Sequence, residues 1–91
     1  MKVFVIGSLS CSDRIKAIAD MYLELGDDVE YVKEQPEKAF EVLVDEAFDL
    51  ISKADRIVAV AKCDGTFGQG TIYEMAFAKF IGKDITKFRK L

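Results

Sequence analysis

Histidine is absent from this sequence, proline occurs once and cysteine twice. Without histidine there is no Ser-His-Asp or Cys-His constellation, and most zinc sites are excluded with it. Cys11 and Cys63 are too far apart in sequence to read as a close metal-ligand pair, and no metal or other cofactor is expected. Two cysteines behind no recognisable export signal suggest a reducing, cytoplasmic setting. Long apolar runs are also missing. A membrane-spanning helix needs about 18 or more apolar residues in succession. "MKVFVIGSL" begins like a signal peptide, but it is too short and "SCSDR" interrupts it. Basic charge is not in excess: the net charge is −3, which argues against a nucleic-acid polymer as partner. The last nine residues, "KDITKFRKL", are locally basic and read as a solvated end.

What is present is one small domain. Ninety-one residues leave no room for a second, and 51% apolar residues are enough for a core. "KVFVI" (2–6) is a β-rich apolar run closed by Gly7. Ser12 or Asp13 can cap the helix that follows, in which Ile15, Ile18, Ala19, Tyr22 and Leu25 share a face, with Gly26 as the stop. "VEYVK" (29–33) reads as a second strand. Pro36 opens a second helix, where its missing N–H costs nothing. An apolar stripe runs from Phe40 to Ala54 along that helix. "IVAVA" (57–61) is a third strand, Thr71 to Ile81 a third helix ended by Gly82, and "DITKF" (84–88) a short fourth strand.

Strands alternating with helices, all similarly apolar, predict a three-layer Rossmann-like α/β domain with a short parallel sheet of about four strands. Ligands bind at the carboxyl ends of such strands. Two loops lie there: "GSLSCSD" after strand 1 and "KCDGTFGQGT" after strand 3.

The second loop holds Gly65, Gly68 and Gly70, and Thr71 is the expected N-cap of the third helix. Free N–H groups at that helix start suit an anion or a polar ligand. Glu74 then stands alone in "TIYEMAFAKF", a helix apolar nearly all round. Such a helix is buried on both sides. Ile72, Met75, Ala76 and Phe80 would face the sheet. Glu74, between Phe77, Ala78 and Ile81, would face a second copy of the chain, so a homodimer or higher homo-oligomer is expected. Glu74 is either the partner of Thr71 in a capping box (Thr-x-x-Glu) or a carboxylate held at a ligand cleft. Asp64, in "CDG", is a turn residue or a second acid; Asp55 is a loop or cap carboxylate or a site residue. Ser8, Ser10 and Ser12 either cap or bind a sugar or phosphate. Phe67 is a candidate ligand or subunit contact, and Tyr73 a core or interface residue. Cys11 follows strand 1 as in small tyrosine phosphatases, but Arg14 comes only three residues later and position 17 is Ala17, so the phosphatase spacing is missing.

"GTIYEMAFAKFIGKDI" resembles the nucleoside 2-deoxyribosyltransferase family and the related deoxynucleoside 5′-monophosphate N-glycosidases. The likeness rests on Gly70, Thr71, Glu74, Ala76, Ala78, Gly82 and Lys83. "KADRIVAVAKCDG" adds Asp55 and Asp64, and "KVFVIGSLS" adds Gly7, Ser8 and Ser10. Ala76 stands where the family often has glycine. The resemblance implies a glutamate nucleophile, Glu74, that attacks C1′ of a 2-deoxyribosyl group and passes the sugar to another base or to water, with Asp64 as the second acid. It implies substrate contacts from Gly7, Ser8, Ser10, Asp55, Gly68, Gly70 and Thr71. The alternative is a module of the same fold that binds a nucleoside or nucleotide without turnover.

Overall fold

Strands β1 (Lys2–Gly7), β2 (Asp28–Tyr31), β3 (Arg56–Val60) and β4 (Asp84–Phe88) form one sheet in the order β2-β1-β3-β4, every pair parallel. The computed structural model describes residues 1–33 and 35–89; Lys90 and Leu91 of the basic end lie outside them. Three helices connect the strands: α1 (Ser12–Glu24), α2 (Phe40–Lys53) and α3 (Gln69–Phe80).

Successive strand residues point to opposite faces, and here both faces are apolar. Val3, Val5, Val58 and Val60 pack on Ile15, Ile18 and Ala19 of α1. Phe4, Ile6, Ile57 and Ala59 pack on Ile51 and Ala54 at the end of α2 and on Ala78 of α3. One helix therefore covers one face and two cover the other, in the expected three-layer α/β fold. Phe48 of α2 and Phe77 of α3 lock the two-helix side, their rings stacked at 4.4 Å. "DITKF" is a strand with the predicted bounds, paired to β3 from Arg56↔Asp84 to Val60↔Phe88.

Several local expectations are corrected. Pro36 does not open α2; it lies in a turn closed by Lys38 N–H donating to the Gln35 carbonyl (3.0 Å), and the helix begins at Phe40. Proline's fixed φ suits the second position of a turn as well as a helix start. Phe40, counted in the apolar stripe, is 76% exposed, because α2 meets the sheet only at its carboxyl end. Neither Ser12 nor Asp13 caps α1. A single 3-10 turn, Leu9–Cys11, precedes that helix, and Ser8 caps the turn through its side chain.

Candidate active site

The central strands β1 and β3 end side by side, with Gly7 paired to Val60. Gly7 is dictated by space: a Cβ there would stand 2.9 Å from the Val60 carbonyl oxygen and 3.0 Å from Ile15 Cδ1. The loops leaving these strands meet beyond that contact. A Cβ on Gly68 would lie 3.8 Å from Ser8 Cβ and 3.7 Å from Lys62 Cε. Ser8 and Ser10 share a hydroxyl–hydroxyl hydrogen bond of 2.8 Å on the first loop.

The second loop opens with a tight reversal. Gly65 N–H donates to the Lys62 carbonyl and Lys62 N–H to the Thr66 carbonyl, both at 2.8 Å. Gly65 has φ +83°, a conformation that favours glycine. Asp64 Oδ1 accepts from the Thr66 hydroxyl (2.6 Å) and the Thr66 N–H (2.9 Å). Those bonds, the hydroxyl's first, hold its carboxyl below the usual aspartate range. Asp64 is thus the clasp of its own turn and an ionised acceptor. An acid that gives up a proton must first hold one, so the geometry speaks against Asp64 as proton donor.

α3 follows, capped by Gly68 in extended conformation with no side-chain bond. Ile72 N–H makes the first helical bond, to the Gly68 carbonyl (3.0 Å). The N–H groups of Gln69, Gly70 and Thr71 precede it and point out of the helix start. Thr71 is not the N-cap but lies inside the helix, 3% exposed. The capping box with Glu74 therefore does not form.

Glu74 also faces the other way from the sequence expectation. Thr71, Glu74, Met75 and Ala78 make the inward stripe at helical spacing. Ile72, Tyr73, Ala76 and Phe80 are exposed. Glu74 is half-buried, and among the described residues its Oε2 is buried without a hydrogen-bond partner. Burial pushes its pKa up to about 7. A buried acceptor with no donor is costly.

Asp55 is not part of this cluster. Its carboxylate accepts from Lys2 N–H (2.8 Å) and its own N–H donates to the Lys2 carbonyl (2.8 Å). That is the amino end of β1 and β3, across the sheet from the loops. Asp55 fastens the sheet and is removed from the site. A groove of about 120 Å³ lined by Lys2, Phe4, Asp28, Glu30, Leu50 and Lys53 lies at the same amino end.

The sequence reading missed Lys62 and Arg89. Arg89 follows β4, donates to the Gly65 carbonyl (3.4 Å) and stacks over Phe67 at 5.2 Å. Phe67 is half-buried against the core under that guanidinium. Its position directly after a strand was the available signal. Tyr73 is exposed and accepts from Gln69 Nε2 (3.1 Å). Among the described residues no three His, Cys, Asp or Glu side chains are grouped as metal ligands would be.

No family model matches the sequence, and no curated protein does. Solved structures do share its fold. One is a 2-desoxiribosyltransferase from Leishmania mexicana, with TM-score 0.71 and 20% identity over 96% of this chain. Another is the CMP N-glycosidase BcmB of Clostridium botulinum, with TM-score 0.66 and 23% identity over 96% of this chain. The chain spans 63% of the first protein's length and 70% of the second's. At such identities the likeness establishes the fold. Both proteins are of the kinds that the Glu74 motif resembles.

Proposed function

We propose that this domain binds a deoxynucleoside or its 5′-monophosphate at the carboxyl ends of β1 and β3 and cleaves the N-glycosidic bond through Glu74. The observation that carries this reading is the carboxyl oxygen of Glu74 behind the glycine loop, buried and without a partner among the described residues. The Glu74 carboxylate attacks C1′, the base departs, and a second base or water takes the sugar from the glutamate. This is the two-step logic of retaining glycosidases. The nucleophile must be ionised, so a pKa near 7 leaves it active at and above neutral pH.

Gly7, Ser8, Ser10, Gly68, Gly70 and Thr71 supply hydroxyls, N–H groups and close backbone approach for the sugar or phosphate. Lys62 and Arg89 give the loop positive charge on a chain whose net charge is −3, which favours an anionic substrate. Asp64 serves as a hydrogen-bond acceptor toward the base. The fold neighbours named for deoxyribosyl transfer and for CMP cleavage support both branches of the reaction. Among the described residues no helix is long and apolar enough to cross a membrane, and the cytoplasm is the setting this reading proposes.

The test is base release and base exchange on a panel of deoxynucleosides and their 5′-monophosphates, with and without a free base, beside Glu74→Ala. Turnover lost in the variant is expected; retained turnover removes Glu74 as nucleophile. A second reading, a binding module without turnover, draws on the engagement of Asp64 with Thr66, which leaves the departing base no proton donor there. Saturable binding with no product would select it.

A further inference from the structure

The reversal that opens the glycine loop is held in shape by its own bonds, Lys62 to Thr66, Gly65 to Lys62 and Asp64 to Thr66. All of them are local, so they fix its form and not its place on the sheet. Its place depends on Phe67 and Arg89. Phe67 packs against the core on the α2 and α3 side. The last bond between β3 and β4, from Ala61 N–H to the Phe88 carbonyl (2.8 Å), delivers Arg89 beside the loop. There its guanidinium carbon stands 5.2 Å from the centre of the Phe67 ring, and its Nη1 donates to the Gly65 carbonyl (3.4 Å). Among the described residues, this is the one hydrogen bond that joins residues 63–67 to another part of the chain. Gly68 comes directly after Phe67, caps α3 and stands against Ser8 of the first loop. A shift of Phe67 therefore moves the meeting point of the two loops.

We propose that Arg89 is a positioning residue for substrate binding: gripping Gly65 and Phe67 from the end of β4, it seats the glycine loop against the loop after β1. A guanidinium suits both contacts at once, since its charge is attracted to the face of an aromatic ring and its fork of donors reaches a carbonyl beside it. Glu74 does not share this dependence, because α3 is anchored through Thr71 and Ala78, both buried. Without the grip the loop must be ordered as substrate binds, and binding carries that cost. The consequence for turnover rests on the glycosyl-transfer reading; the seating of the loop does not.

Deuterium uptake by the full chain, by Arg89→Ala, by Phe67→Leu and by the double variant tests the seating without any turnover. Arg89 is exposed, and unchanged uptake by β1 and β3 checks that each variant is folded. A peptide spanning residues 62–67 should exchange faster in both single variants, and no faster in the double variant than in Phe67→Leu, because the two residues form one grip. Unchanged uptake in Arg89→Ala, or two effects that simply add, would overturn the proposal. In turnover, Arg89→Ala should raise KM about two- to tenfold with kcat little changed. That rise should be the same for deoxynucleosides and their 5′-monophosphates, and the same at high salt as at low. A rise confined to the monophosphates and abolished by salt would make Arg89 a charge contact instead and overturn the proposal. A parent without turnover removes the glycosyl-transfer reading and leaves the uptake result to decide the seating.

Discussion

Glu74 carries two opposed demands in one carboxyl group. Its folded pKa, about 7, lies above the ordinary glutamate value of 4.5. The folded state therefore holds this proton more tightly than the unfolded chain. The associated stability is fully present below the unfolded pKa and is lost as pH rises through about 7. The shift corresponds to about 3 kcal/mol as an upper figure. Glu74→Gln removes the charge and keeps the shape, so it should unfold later than the parent at pH 8 and little differently at pH 4.5, in parallel denaturant titrations. The same variant should show no turnover. Had the capping box been formed, the parent would lose nothing at pH 8 by ionising. The residue itself was legible in the sequence, since a single carboxylate in an apolar helix behind glycines stands out. Its direction was not. A helix apolar nearly all round has little amphipathic contrast, so its sides cannot be told apart before the neighbours are known. Asp55 is the opposite case. It precedes β3, and the rule that ligands sit at carboxyl ends already placed it at the wrong edge; the motif resemblance outweighed that rule.

At the scale of elements, the strands were readable because apolar β-branched runs are bounded by Gly7, Asp55 and Gly82. The starts of α2 and α3 were not. Proline suits both a turn and a helix start, and three glycines ahead of α3 offer three places to begin. The observed start puts Gly70 in the first turn with nothing within 4 Å of an added Cβ. Gly70→Ala should therefore stabilise the domain by about 0.5–1 kcal/mol, seen as a later thermal transition. If the backbone there must approach a ligand closely, the same variant should bind or turn over deoxynucleotides more weakly. A stabilised variant with unchanged ligand binding would remove Gly70 from the site. α3 thus has two separable duties, and one methyl group distinguishes them.

For the whole molecule, the inward turn of Glu74 alters the case for association but does not remove it. The outer side of α3 exposes Ile72 (49%), Tyr73 (60%) and Phe80 (87%). Exposed apolar surface grouped in this way is what a subunit interface covers. A homodimer through that side is our proposal, and sedimentation should give a dimer for the parent and a monomer for Phe80→Glu. Monomer for both would remove it. The dimer would no longer be needed to cover Glu74, which lies on the inward side of α3.

The strand order has a further consequence for how the molecule breathes. β2 and β4 are the edges, while β1 and β3 each have neighbours on both sides. Openings short of global unfolding start at such edges. Amide hydrogens of β4 should exchange with solvent well before those of β1 and β3, as mass-resolved deuterium uptake would read. Each such opening carries Arg89 away from the Gly65 carbonyl and leaves Gly7 seated against Val60. The domain can then release Arg89 many times over without disturbing the contact between the ends of its two central strands.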